Sequence, residues 1–532
     1  MLSATGMAAG VFGTLGVVPI FLNVGAAVVP AIIAGLTNIV GVLVKPKELA
    51  RLIRRKPHVP LIALAVLGGI GFGGWWIAMA VAAGGREGPK PVTWSDVALA
   101  ILEYERTGGV EPFVPLPPQA QNSDVVFRLN PARAGYDGGP VPHEVRPLWR
   151  YSEYPEEMVL STPTVFGTRV YGATCLLDIG ANYGAIVCHD AETGKKIWSV
   201  DKLEGKELKA FFSSPALTAD GKYLVIGQGL HFDTDCALIC LEADTGALHW
   251  RIPTPLHIEG SPAVRGDLAV AGAGAVEGED RKPKGDPGYV IGVRISDGRV
   301  LWKQAVADPE SSPIIAEDGL VYIGSGFNGN AVVCLRSEPD DELRAKGLER
   351  ILWRTPTDYP ATGAVTLVGD LVLIGCGNGD YVYADPNPAG VVMALDRFTG
   401  RVRWQTSMPD AVLGAVAVQG DLVICPVRDG HVAALHLADG TPAWPEPREV
   451  SGRAPVLAAP AFDGRFVYAV SKDGYLAILN ASDGELVARQ YLNDESRPGE
   501  MGLCLSSPTV AGGRIYVGSE TGGLICLASQ PQ

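Results

Sequence analysis

Seven tryptophans, Trp149, Trp198, Trp250, Trp302, Trp353, Trp404 and Trp444, follow one another at spacings of 49, 52, 52, 51, 51 and 40 residues. No tryptophan after Trp94 falls outside this series. A large residue returning at a fixed period implies repeated units, each burying its faces against neighbours rather than in one shared core. Repetition releases the 532-residue chain from the three or four domains that length alone would suggest.

Before most of these tryptophans stands a shared pattern, clearest in ALDRFTGRVRW from Ala394 to Trp404. An apolar run such as VVMALD or ALICLE reads as a strand, and Thr-Gly or Asp-Gly makes the tight turn that returns the chain. The tryptophan on the returning strand can then pack between adjacent sheets, burying about 200 Å². Ser-Ser-Pro starts at Ser213, Ser311 and Ser506 precede further strands, so each unit holds four. Strand sets begin near Ser161, Ser213, Ser261, Ser311, Thr362, Gly414, Ala459 and Ser506, which makes eight. The last set stops where its tryptophan strand should come, whereas RPLWRYS around Trp149 has no set before it. Joining the two leaves no open edge. The expected fold is therefore all-β, an eight-bladed β-propeller of four-stranded blades, preceded by transmembrane α-helices.

The AxDxxTGxxxW pattern resembles the tryptophan-docking motif of pyrroloquinoline quinone (PQQ) dehydrogenase propellers. It is also similar to the repeats of the lipoprotein scaffold in the bacterial outer-membrane β-barrel assembly machine. The resemblance covers residues 149–530 and concerns the fold, since motif residues that pack blades need not touch a ligand. It implies either a scaffold without cofactor or a dehydrogenase holding PQQ and calcium.

Ahead of the repeats, residues 1–44 carry no charged side chain, and neither do residues 59–84. Between them lies a basic run from Lys45 to Lys56 with Glu48 as its sole acid. Apolar stretches of this length predict two membrane spans, or three if the first folds as a hairpin near Asn23 and Gly25. The positive-inside rule then places the basic loop in the cytoplasm and the repeats on the extracytoplasmic, periplasmic side of a multi-pass cell-membrane protein. The expected division is 1–85 as membrane anchor, 86–148 as a linker with a short amphipathic helix, and 149–532 as the propeller. The chain's net charge is −14 despite those basic residues, so the repeats are strongly acidic and disfavour nucleic acid.

In a four-stranded blade, the connections between second and third strands share one face. Those of the first five units are long and polar, such as GQGLHFDTDC and GCGNGDYVYADPNPAG, and those of the last three are short. Clustered long loops predict a binding surface. In one of them, Cys376-Gly377-Asn378 resembles the glycine-rich segment of PQQ dehydrogenases, which implies a cofactor and calcium role for Asn378, with Asp380 as a further oxygen donor; the bland alternative is a turn. His231, Asp233 and Asp235 share another loop, with His257 and Glu259 expected on the same face, and together they could hold a divalent metal. No adjacent cysteine pair, zinc-spaced CxxC, P-loop or kinase signature occurs. Cys188, Cys240, Cys334 and Cys526 occupy one repeated strand position, as expected of a small buried packing residue. These features favour a non-enzymatic scaffold that presents its loop face to a protein or envelope partner. A PQQ- and calcium-dependent membrane dehydrogenase and a small-ligand sensor are the alternatives.

Overall fold

The computed structural model describes residues 127–139, 142–178, 181–274, 287–499 and 501–529. All lie in the compact unit Pro115–Gln532. Eight four-stranded antiparallel sheets follow one another around an axis. Blade 1 runs from the innermost strand Thr164–Phe166 to the outermost Lys196–Val200, and blade 7 from Ala461–Phe462 to Leu486–Tyr491. Blade 8 takes three strands from the end of the repeats, Thr509–Ala511, Arg514–Gly518 and Leu524–Ser529. Its fourth is Val145–Tyr151, which pairs antiparallel with Leu524–Ser529 and sets Trp149 opposite Cys526. The ring closes as the repeat count predicts.

The motif explains itself at the blade junctions. Each indole N–H donates to a backbone carbonyl of the next blade: Trp198 to Ala243 at 3.0 Å, Trp353 to Arg397 at 2.9 Å, Trp404 to Leu437 at 2.9 Å and Trp444 to Ala481 at 2.8 Å. The ring then lies against the glycine of that blade's hairpin turn. At Gly400, φ is +68°, and an added Cβ would come 2.6 Å from the Trp353 ring. The motif Asp shapes this turn, since Asp396 Oδ1 accepts from the backbone N–H and the hydroxyl of Thr399 at 3.0 and 2.8 Å. Blade 4 departs from the pattern. Its turn is replaced by the helix Asp340–Lys346, so Trp302 donates to Ser337 O and Arg350 stacks on its ring at 4.4 Å.

Blade 7 has Ala488 where a tryptophan would stand. The tryptophan docks on the turn joining the third and fourth strands of the following blade. In blade 8 those strands come from distant parts of the chain, so no such turn exists to receive it. Packing compensates within the sheet as well. Cys188, Cys240, Cys334 and Cys526 lie directly opposite Trp198, Trp250, Trp353 and Trp149, and Gly292 opposite Trp302. Opposite Ala488 the position is filled by the larger Ile478. All nine cysteines are buried and free, and burial pushes thiols such as Cys188 up to about 12.

Residues 127–137, within the stretch read as an extended connector, close one end of the axial channel. Their backbone pairs with the innermost strands of four consecutive blades: Leu367 N–H donates to Pro131 O, Val418 to Ala132 O, Phe462 to Ala134 O and Val510 to Gly135 O. Two fully buried guanidinium groups anchor them. Arg133 donates to Val365 O, Phe127 O and Pro313 O at 2.8–2.9 Å, and Arg128 to Pro508 O at 2.8 Å and to Pro460 O. Burial lowers both to about 9, and each remains a cation at neutral pH. Arg128 and Arg133 adopt positive φ, 68° and 54°, a conformation held by these multiple bonds.

The placement expected from the apolar N-terminal stretches is corrected here. Among the described residues no helix is long and apolar enough to cross a membrane, and the one α-helix, Asp340–Lys346, has seven residues. The described chain is an essentially all-β body, so it gives a multi-pass cell-membrane protein with a periplasmic propeller no footing. The stretches 1–44 and 59–84 themselves lie outside the described residues.

Three outcomes follow from these contacts. Trp404→Ala should lower stability by about 3–5 kcal/mol, and Trp404→Phe by less, since it loses mainly the bond to Leu437 O; urea unfolding measures both. Arg133→Met leaves three buried carbonyls without their donor and should cost at least about 3 kcal/mol in the same assay. Thiol titration at pH 8 should detect no cysteine in the folded protein and all nine in guanidinium chloride.

Candidate functional site

Each connection from an outermost strand to the next innermost strand turns at the channel and leaves two side chains facing it. One tier consists of Thr162, Ser214, Ser261, Ser312, Ala364, Ala415, Ala459 and Ser507, all lining the axial cavity. Its hydroxyls link the blades: Thr162 N–H donates to Ser214 Oγ at 2.9 Å, Ser214 N–H to Ser261 Oγ at 3.0 Å and Ser261 N–H to Ser312 Oγ at 2.9 Å. The relay lapses at the three alanines, and there Phe127 packs against Ala364, Ala415 and Ala459. The short side chains make room for the ring that closes the channel floor.

The second tier, two residues earlier in each repeat, is Leu160, Phe212, Glu259, Glu310, Thr362, Leu413, Leu457 and Leu505. Five of its members are apolar, and two adjacent blades present glutamates. Tyr381, from the long loop of blade 5, leans over the leucine side, with its ring 5.0 Å from Phe212. The space enclosed is about 80 Å³. That admits an ion and a few waters and falls well below the roughly 300–1,000 Å³ of pockets for drug-sized ligands.

Behind the glutamates sits His257, fully buried, with Nε2 2.8 Å from Glu310 Oε1. One donor atom each from His257, Glu259 and Glu310 lies within 4.8 Å of the others. Burial lowers the pKa of His257, against the nearby charges of Glu259 and Asp308. Burial alone would raise Glu259, yet a hydrogen bond from His231 and the charges of His257 and His231 more than offset it. The carboxylate is therefore ionised. Imidazole and carboxylate groups bind divalent ions in their deprotonated forms. On the leucine side, burial and the two glutamate charges raise the Tyr381 phenol, which stays protonated.

The residues singled out from the sequence fall around this centre. His231 joins its edge: its backbone N–H donates to Glu259 Oε1 at 2.5 Å, and Nδ1 lies 3.6 Å from the same oxygen. Asp233 is turned to a different task, accepting from Asn182 Nδ2 at 3.0 Å and Leu230 N–H at 2.8 Å, which ties the loops of blades 1 and 2. Asp235 is exposed at φ +53° and is not among the clustered donors. Asn378 closes its own loop with both ends of its amide, donating to Asn387 O and accepting from Ala389 N–H, each at 2.8 Å. Asp380 Oδ1 accepts from Val382 N–H at 2.7 Å in a local turn. Both side chains thus bond within their own loop. Sequence reasoning missed Glu310. The available signal was register, since Glu259 and Glu310 both stand two residues before a Ser-Pro, where most other repeats carry Leu or Phe.

On the same face the loops expose apolar side chains. Phe232 is 53% exposed and Tyr383 66%, with Tyr154, Tyr183, Val382 and Met501 also uncovered. The connections of blades 6–8 are short there, as the sequence predicts; most of the corresponding loop of blade 3, residues 275–286, lies outside the described residues.

A family model described as outer membrane protein assembly factor BamB matches residues 146–384 and 350–532. A BamB of Xanthomonas campestris pv. campestris is 24% identical over 344 residues, covering 56% of this chain and 76% of that protein. A quinohemoprotein alcohol dehydrogenase, ADH IIB of Pseudomonas putida, is 26% identical over 194 residues, 34% of this chain. The match spans only 24% of that enzyme's length. The crystal structure of BamB from Moraxella catarrhalis shares the fold with a TM-score of 0.52 at 16% identity, covering 73% of this chain and 98% of that one. Closed eight-blade topology, the tryptophan docking and the extent of the family match converge: the chain belongs to the BamB family of PQQ-type β-propellers, a superfamily that also contains quinone-dependent dehydrogenases.

Proposed function

We propose that this protein is a non-enzymatic scaffold that binds a protein partner through the loop face of its propeller. The observation that carries this reading is the set of exposed aromatic and apolar side chains on that face, Phe232 and Tyr383 foremost. Aromatic anchors raised on a rigid frame are the usual energetic centres of protein interfaces. The frame is rigid here because every blade is pinned to the next by an indole or a hydroxyl bond. The small axial cavity and the internal engagement of Asn378 support binding at the face over cofactor chemistry on the axis. Kinship with proteins named as assembly factors points the same way.

A photo-crosslinking residue placed at Phe232 or at Tyr383 should give one discrete protein adduct, identified by mass spectrometry, that is absent when the probe sits at Val402 on the propeller rim. With that partner purified, Phe232→Ala and Tyr383→Ala should each weaken binding about 30-fold, as loss of a strong anchor does. The scaffold reading fails if both loop probes give no adduct. It also fails if added PQQ and calcium are taken up stoichiometrically and confer dye-linked alcohol oxidation.

A further inference from the structure

The polar arc of the channel has a chemistry that partner binding does not use. Glu259 and Glu310 occupy the same repeat position in adjacent blades, within a tier otherwise dominated by leucine and phenylalanine. Two carboxylates side by side in an otherwise apolar tier present oxygen donors to one point. His257, two residues before Glu259, brings a nitrogen to the same point. It is completely buried, its Nε2 faces Glu310, and its Nδ1 has no hydrogen-bond partner. Next along the tier, the buried Thr362 Oγ1 also lacks a partner. We infer that His257, Glu259 and Glu310 form a binding site for one divalent cation of the zinc class, with an open coordination position toward the axial cavity.

The donor set decides the class. One imidazole and two carboxylates suit zinc and its first-row neighbours, whereas calcium takes six to eight oxygens and magnesium an octahedron rich in water. With ligands at about 2.0–2.2 Å from zinc, binding needs the wider donor separations to close from at most 4.8 Å and Glu310 Oε1 to ease away from His257 Nε2, now at 2.8 Å. The backbone need not move, because the connections bearing the three residues are fixed by the Ser261–Ser312 and Ser213–Gly260 bonds. His231, bonded to Glu259 through its backbone, would hold that carboxylate in place as a positioning residue. The ion would bind blade 3 to blade 4 at the mouth of the channel and leave one position for water or for a carboxylate of an incoming ligand. This inference is independent of the scaffold reading, which survives its failure.

The test uses the full chain, stripped with a chelator and titrated with ZnCl2 by calorimetry and with CoCl2 by visible absorption. One ion per chain should bind, with the d–d bands of a low-coordinate nitrogen and oxygen site and a rise in thermal midpoint. Glu310→Gln should weaken binding by more than the roughly 10–100-fold that loss of an outer partner costs, and His257→Gln likewise. His436→Ala, on the rim beside Asp421, should leave binding unchanged. Tryptophan emission and the metal-free midpoint of each variant separate a lost ligand from a lost fold, and Glu310→Gln, at a partly exposed position, is the variant least disturbing to the core. A stoichiometry far from one, unchanged affinity in folded Glu310→Gln, or displacement of zinc by calcium at equal concentration would each overturn the assignment.

Discussion

Six of the eight junctions around the ring rest on the same contact: an indole N–H reaching across to a carbonyl in the turn of the next blade, with its ring laid over a glycine at positive φ. The contact couples three levels of structure. It needs the Asp and Thr that shape the turn, the small residue opposite the tryptophan within its own sheet, and the neighbour that supplies the turn. Where one of these is missing, the others change with it. Ala488 faces Ile478 in blade 7 because blade 8, assembled from two distant strands, has no turn to offer. In blade 4, where a helix interrupts the hairpin, the cation of Arg350 takes the place of the glycine against Trp302.

Along the axis a second order is superimposed on this repetition. The hydroxyl tier links neighbouring blades until it reaches Ala364, Ala415 and Ala459, and there the segment around Phe127 enters. Arg128 and Arg133 lie deep in the protein, without a carboxylate partner among the described residues, and their N–H groups donate to backbone carbonyls. The desolvation of two guanidinium groups costs several kcal/mol each, which only multiple well-placed acceptors can offset. The floor of the channel is thereby closed, and its polar arc at Glu259 and Glu310 opens toward the loop face. Exposed aromatic loops and the carboxylate cluster consequently share one side of the molecule.

Much of this was legible in the chain. Tryptophan spacing, turn dipeptides and the stray strand at Trp149 were enough for eight blades and for ring closure, because each depends on residues close in sequence or strictly periodic. The site was legible only in part. His257, Glu259 and His231 stood out as metal-binding residue types, and Asp233 and Asp235 looked equally suitable; Asp233 ties the loops of blades 1 and 2, and Asp235 is exposed outside the donor cluster. Glu310 lay a full repeat away, and nothing local marks it apart from its register. Asn378 carried a family signal, and the structure adds that its amide bonds to Asn387 and Ala389 within its own loop, contacts that no local pattern announces.

The sequence by itself determined the repeating unit, the number of units and the way the first strand completes the last sheet, since periodic burial and turn chemistry are written residue by residue. Only the tertiary structure decided which side chains meet on the axis. Circular closure brings residues about fifty positions apart to the same height on neighbouring blades, and a three-alanine gap admits a segment from far upstream. Such encounters depend on the pitch and radius of the ring, which no single repeat contains.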